Sequence, residues 1–242
     1  PSANFTFMQI RSLDHNTSRI YMSLGQNNFS DDRMEFYDGY GLVEIDLNIE
    51  NYEIEGVNFQ LKYTDITPVM KQVGSGEKTW NSINPIFHVA DNGIYVYYPT
   101  TTVIYKYDFS WNLMEEISIN FEVPNYVYTR AFEDIYETQR RIFEQKKAWF
   151  GNYYMAHLEL ENNKIYFSYR KPVPIDLIPE DIMKLPPNER VFHVIDLETQ
   201  KQYSLQINKI QGIGSMFHVD GNIGHFLGRN PNSMEDYFLY QY

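Results

Sequence analysis

Apolar and polar residues alternate along most of this chain with the period of two that marks half-buried strands. Asn, Asp and Gly interrupt the alternation at intervals, and these are the residues that turn hairpins. The clearest stretch spans residues 86–119. Ile86-Phe87-His88-Val89-Ala90 predicts a short strand, and in Asp91-Asn92-Gly93 the Asn-Gly step supplies the positive φ of a tight turn. A second strand is expected over 94–98 and a third over 101–108. Phe109-Ser110-Trp111-Asn112 then turns the chain into a fourth, over 113–119.

This plan repeats. An Ile-Tyr pair opens an alternating strand, and a later strand closes on an aspartate: Ile20-Tyr21 with Asp46, Ile94-Tyr95 with Asp108, Ile165-Tyr166 with Asp196. A shorter copy begins at Ile223. The first copy predicts strands over 5–10, 19–24, 42–46 and 53–59, the third over 155–160, 165–169, 191–196 and 202–207, and the last over 216–219, 223–227 and 237–242. Repeats of four antiparallel strands in a meander are the mark of a β-propeller. The expected fold is therefore all-β, with about three and a half four-stranded blades near residues 5–63, 86–121, 153–207 and 215–242. The last copy lacks a fourth strand, and this number of blades is small for a closed ring. The chain is accordingly expected to be the C-terminal part of a longer propeller. An aspartate ending a strand can accept hydrogen bonds from the amides of the next turn, so Asp46, Asp108 and Asp196 are expected to be turn caps, not catalytic groups.

The copies differ mainly in loop length. Measured against the second copy, the first and third carry about 12 and 17 more residues between the Ile and the closing Asp. These additions fall near residues 26–39 and 171–190, with further long connections near 63–85 and 122–152. In a meander blade the second-to-third connection and the blade-to-blade connection leave the same end. Most of the extra chain therefore decorates one face, and loops on a rigid scaffold are where function concentrates. Within one of these connections, residues 130–149 place Phe132, Ile135, Tyr136, Ile142 and Phe143 at helical spacing, which predicts an amphipathic helix packed as a lid.

Composition narrows the possibilities. The 242 residues are 43% hydrophobic and 17% aromatic, a globular make-up with enough apolar mass for a large core. Twenty basic residues against 32 acidic ones give a formal charge of −12, which disfavours nucleic acid and anionic lipid as partners. There are no cysteines, so neither disulfides nor Cys-based zinc sites arise. No apolar run approaches the roughly 18 residues of a membrane helix.

Two segments carry a resemblance to a known family. They are His88-Val89-Ala90-Asp91-Asn92-Gly93-Ile94-Tyr95 and Ile104-Tyr105-Lys106-Tyr107-Asp108-Phe109-Ser110-Trp111-Asn112-Leu113, with Lys164-Ile165-Tyr166-Phe167-Ser168-Tyr169-Arg170 similar in style. The chain resembles the TolB-like six-bladed β-propellers found as lipoproteins of uncharacterised function in Bacteroidetes-type bacteria. The resemblance implies a six-bladed ring, a periplasmic or cell-surface location and a binding role. It implies a lipid anchor upstream of this chain, and it carries over no catalytic residues.

Candidate chemistry is sparse. Gly74-Ser75-Gly76-Glu77-Lys78-Thr79 is not a phosphate loop, because Glu77 separates the last Gly from the Lys. Gln211-Gly212-Ile213-Gly214 lacks a βαβ context. His88, His157 and His218 fall on three innermost strands, where a ring of imidazoles would bind a metal, but their registers differ and ordinary strand histidines are the commoner case. Asp31, Asp32, Glu35 and Asp38 do not match a calcium-loop spacing. Arg170 and Arg229 follow the second strands of their blades. With Lys171, Trp80, Tyr128 and Arg130 they form a candidate rim for an anionic or carbohydrate ligand.

The expected function is thus an extracytoplasmic binding or scaffolding propeller for a carbohydrate, peptide or protein, with no cofactor. The competing reading is a propeller-fold glycan hydrolase or lyase using carboxylate and histidine chemistry on the same face. A purely structural subunit would instead show a large apolar patch on its outer strands.

Overall fold

The computed structural model describes residues 5–24, 39–62, 85–98, 101–121, 150–151, 154–179, 189–206, 213–220, 223–229 and 237–241. They form an all-β structure. β1 (Phe5–Ser12), β2 (Thr17–Leu24), β3 (Tyr40–Asn48) and β4 (Glu53–Lys62) make the first sheet in the order β1-β2-β3-β4. β5 (Ile86–Ala90), β6 (Gly93–Tyr97), β7 (Val103–Tyr107) and β8 (Leu113–Ser118) repeat that order in a second sheet. β9 (Tyr154–Glu161), β10 (Lys164–Arg170), β11 (Arg190–Asp196) and β12 (Gln202–Gln206) make a third. β13 (Ile213–Asp220), β14 (Ile223–Arg229) and β15 (Tyr237–Gln241) make a three-stranded fourth. All strand pairs are antiparallel, and each expected strand is present within a few residues of its expected bounds. The helix expected over 130–149 lies outside the described residues.

The chain divides into two compact units, one of Pro1–Ser118 with Val127–Ala148 and one of Ile119–Tyr126 with Trp149–Tyr242. The first holds sheets one and two, the second sheets three and four. In the first unit, Tyr21 and Leu42 of sheet one are fully buried against Phe87, Ile94, Val96, Tyr98 and Tyr105 of sheet two. In the second unit, Leu158, Ile165, Phe167, Tyr169, Val191 and Ile195 are buried on sheet three. Every residue of β6 is buried, as is every residue from Ile165 to Arg170 on β10. A strand that hides both faces needs apolar residues at consecutive positions, which is why the Ile-Tyr strands run on as Ile-Tyr-Val-Tyr and Ile-Tyr-Phe.

Turn chemistry follows the aspartates in two of three places. Asp108 Oδ1 accepts from the amides of Ser110 (2.8 Å) and Asn112 (2.9 Å). Asp196 Oδ1 accepts from those of Glu198 (3.1 Å) and Thr199 (2.9 Å). These bonds favour the ionised form and hold both carboxyls below the usual range, with the Asn112 side chain the first influence on Asp108 and the Thr199 amide on Asp196.

Asp46 departs from the expectation. It takes a bidentate pair from Arg19 across the sheet, Nε to Oδ1 at 2.6 Å and Nη2 to Oδ2 at 2.9 Å. β3 runs on two residues past Asp46, so Asn48 reaches the turn instead and accepts from the amides of Glu50 and Asn51. The cap follows the true strand end.

Two hairpins show why their turn residues are needed. Asn162 and Asn163 both adopt left-handed backbone (φ 49° and 61°), the conformation of a type I′ turn. Gly93 has φ of 140°, and a Cβ built there would lie 2.5 Å from the carbonyl oxygen of Tyr107. Gly93→Ala is expected to destabilise the first unit by more than about 1 kcal/mol, because backbone conformation and space both exclude the methyl group. The denaturation midpoint of the variant measures this, and an unchanged midpoint contradicts it.

Candidate functional site

The first strand of each sheet pairs on one side only, so its outward amides have no ladder partner. In both units a side chain from the preceding sheet meets one of them. The amide of Val89 on β5 donates to Gln9 Oε1 of β1, and Gln9 Nε2 donates to His88 Nδ1 at 3.2 Å. In the second unit the amide of Val219 on β13 donates to Glu159 Oε2 of β9 at 2.8 Å, and Glu159 Oε1 pairs with His218 Nδ1 at 2.8 Å. Gln9 stands opposite Tyr21 and Glu159 opposite Tyr166, so both acceptors occupy the same place relative to an Ile-Tyr pair. Phe87-His88-Val89 and Phe217-His218-Val219 are the matching receivers.

Two of the three histidines considered as a metal ring, His88 and His218, take part in these contacts. His88 accepts from Gln9 and His218 pairs with Glu159, while His157 Nε2 lies 3.9 Å from Glu159 Oε1, too far for a hydrogen bond. No group of three metal-type side chains gathers among the described residues. Both carboxylate oxygens of Glu159 are engaged, which suits a structural staple better than a proton-transfer group. His193, unremarked in the sequence, is 1% exposed with Nδ1 2.7 Å from Ser204 Oγ and Nε2 3.0 Å from Gln202 Oε1. Gln202 Oε1 also accepts from the Asn120 amide at 2.8 Å. The imidazole is sealed from solvent, while Ser204 lies at the exposed surface.

A second cluster lies at the loop-bearing end of sheet three. Arg170 ends β10 and is buried, with its guanidinium 4.6 Å from the centroid of the Phe150 ring. Lys171 follows, its Nζ 3.2 Å from Glu189 Oε2 and its amide donating to the Glu189 carbonyl at 2.9 Å. Val173 donates to the Phe150 carbonyl at 2.7 Å, which draws the start of the long 171–189 connection against the residues leading into β9. Arg190 opens β11 directly opposite Arg170. Two like charges at directly opposed positions oppose folding.

Among the residues expected at the rim, the structure brings Arg170 and Lys171 together and adds Phe150, Glu189 and Arg190. Arg229 ends β14 opposite Tyr237, and its side chain lies outside the described set. Trp80, Tyr128 and Arg130 lie outside the described residues, as do Asp31, Asp32, Glu35 and Asp38. Arg190 was expected at the end of the loop before the strand over 191–196, and only the register shows that it opens β11 opposite Arg170. Carboxylates also gather on sheet one. Glu44, 2% exposed, meets Arg19 Nη1 at 3.4 Å and Gln60 Nε2 at 3.0 Å, while Arg19 also holds Asp46. Hydrogen bonding to Asp46 raises the Arg19 pKa. Arg19 thus bridges the two acids, and Gln60 holds the second oxygen of Glu44.

Comparison with known proteins adds fold-level likeness. No protein-family model matches the sequence, and no curated protein does. A crystal structure of a member of the DUF4221 family from Bacteroides vulgatus is similar, with TM-score 0.55 and 10% identity, covering 97% of this chain and 62% of that one. The chain thus spans less than two thirds of the length of that protein. Pyrococcus horikoshii acylaminoacyl peptidase is similar at TM-score 0.45 and 12% identity, covering 100% of this chain and 31% of that one.

The Glu159 staple carries a pH dependence of definite sign. Burial is the largest influence on Glu159 and pushes it up, but the nearness of His157 and the hydrogen bonds from His218 and the Val219 amide outweigh it and leave the carboxyl lowered from 4.5. His218 is raised from 6.5, first by its hydrogen bond to Glu159, with Asp220 and Glu161 adding to the effect. The histidine contribution is complete below about 6.5 and fades as pH rises through the raised folded value. The carboxylate contribution is complete above about 4.5 and fades as pH falls through the lowered one. The staple is therefore strongest between those two values.

Glu159→Gln keeps an acceptor for Val219, as Gln9 provides for Val89, and is expected to flatten the fall in stability between pH 6 and 8. Glu159→Ala is expected to cost about 1–3 kcal/mol at pH 6, since it orphans a part-buried amide. Urea unfolding as a function of pH separates the two. An unaltered slope in Glu159→Gln would rule out the Glu159–His218 pair as its source.

Proposed function

We propose that the protein is a six-bladed β-propeller module that binds an anionic ligand outside the cytoplasm, at the Arg170–Lys171–Arg190 end of sheet three. The observation that carries the binding site is the direct opposition of Arg170 and Arg190 at a loop-bearing strand end. An anion seated there would meet both guanidinium groups, and the oxygens of a carboxylate or a sulfate match the guanidinium fork. Phe150 supplies an apolar wall beside the charge. Glu189, half-exposed, shields Lys171 and would have to yield it to a stronger acceptor. The ligand class that fits is an acidic glycan or an acidic peptide.

Stacked four-stranded meanders, with central strands buried on both faces, support the propeller reading. Four sheets within 62% of the Bacteroides protein's length scale to about six in the whole. The location, in the periplasm or at the cell surface and attached through an upstream lipid, rests on the resemblance of the blade segments to propeller lipoproteins.

Isothermal titration with polygalacturonate and with a neutral glucan of similar length tests the binding reading. Polygalacturonate should bind, and its affinity should fall as salt is raised. Lys171→Gln combined with Arg190→Gln should weaken it at least tenfold, or about 1.4 kcal/mol. Equal binding of the neutral glucan, or binding indifferent to the double substitution, sinks this assignment. Release of reducing ends or of an unsaturated uronate chromophore would favour the hydrolase or lyase reading.

A further inference from the structure

Sheet one has one covered face and one whose outer strands stand open, with Val43 at its middle buried. The covered face carries Tyr21 and Leu42, which seat against sheet two. On the other face Ile10, Ile20, Ile45 and Val57 stand in register across all four strands as one apolar row. Ile10 is 62% exposed and Val57 48%, and next to them Met8 is 60% and Phe59 54%. A two-row apolar stripe crossing an entire sheet is larger than the scattered hydrophobic residues of an ordinary surface.

The repeat identifies what that stripe corresponds to. In sheet two, Val89 and Tyr107 flank Ile94 in register as Ile10 and Ile45 flank Ile20. That row of sheet two is the one packed against sheet one, with Ile94 fully buried and Val89 and Tyr107 pressed against the same cluster. The open face of sheet one is thus the counterpart of a face that, one repeat later, is covered by another four-stranded sheet. Val89 also receives the Gln9 staple, and the residue at its register on β1 is Ile10.

We infer that the open face of sheet one is an interface for a further four-stranded sheet of the same repeat, carried on the same polypeptide outside these residues. That sheet presents a Tyr-bearing face to the Ile10 row. Its first strand offers a glutamine or glutamate side chain to the Ile10 amide, as Gln9 offers to Val89 and Glu159 to Val219. The occupant is a repeat of this kind because both inter-sheet contacts within the units use the same acceptor place and the same receiving amide. The length of the Bacteroides protein leaves room for it, since this chain covers only 62% of that one. The inference rests on the stacked-sheet reading and is independent of the ligand.

Photocrosslinking in the protein expressed from its complete reading frame tests it. With p-benzoylphenylalanine in place of Met8 or of Phe59, the crosslinked peptide should map to the same polypeptide outside residues 1–242, within a strand of the repeat pattern. A crosslink to a second copy, a crosslink within 1–242, or none at all overturns the inference. In the same protein, Ile10→Asp should lower Tm by about 5 °C or more, because it places an unpaired carboxylate in a covered interface. An unchanged Tm, the outcome for a solvent-facing position, also overturns it. Neither experiment touches Lys171 or Arg190, so the binding assignment stands or falls separately.

Discussion

The first strand of each sheet pairs with one neighbour and leaves every second amide pointing away from its sheet. Such a row is both an unsatisfied set of donors and a template for unwanted strand addition. In each unit one of those amides is answered by a long side chain from the preceding sheet: Gln9 for Val89 and Glu159 for Val219. The bond ties the edge of one sheet to the first strand of another, so it fixes the lateral position at which the two sheets stack. The apolar burial between Tyr21, Leu42, Ile94 and Val96 is stronger in sum but has little directional content. The staple chooses the register at which that burial occurs.

The acidic composition is accommodated by local pairing. Asp108 and Asp196 sit in turns where backbone amides satisfy them, and Asp46 and Glu44 share Arg19 between strands. Basic residues are fewer, and three of them gather at one end of sheet three. Arg170 and Arg190 stand directly opposite each other, with Phe150 beside Arg170 and Glu189 paired with Lys171.

Much of this architecture was readable from residue order. The Ile-Tyr copies located the strands, and Asn162-Asn163 and Gly93 located hairpins whose backbone demands those residues. The turn-capping role of Asp108 and Asp196 was legible too. Asp46 was not, because its strand runs on to Asn48 and a strand end cannot be fixed to a residue by alternation. For the candidate site, Arg170 and Lys171 were visible as cations after a strand. Glu189, Arg190 and Phe150 became relevant only when a long connection closed beside them.

The division has a physical basis. Alternation with period two reports which residues share a face of one strand, and turn residues report where strands reverse, so element order and meander pairing lie within the chain's local chemistry. Contacts between sheets join Gln9 to Val89 across 80 residues and Glu159 to Val219 across 60. A local pattern holds no information about which polar side chain meets which outward amide across a stacked interface, because that depends on how two twisted surfaces settle. The same holds for the open row at Ile10. Its residues look like any buried strand in the sequence, and only the assembled sheet shows that they still face outward.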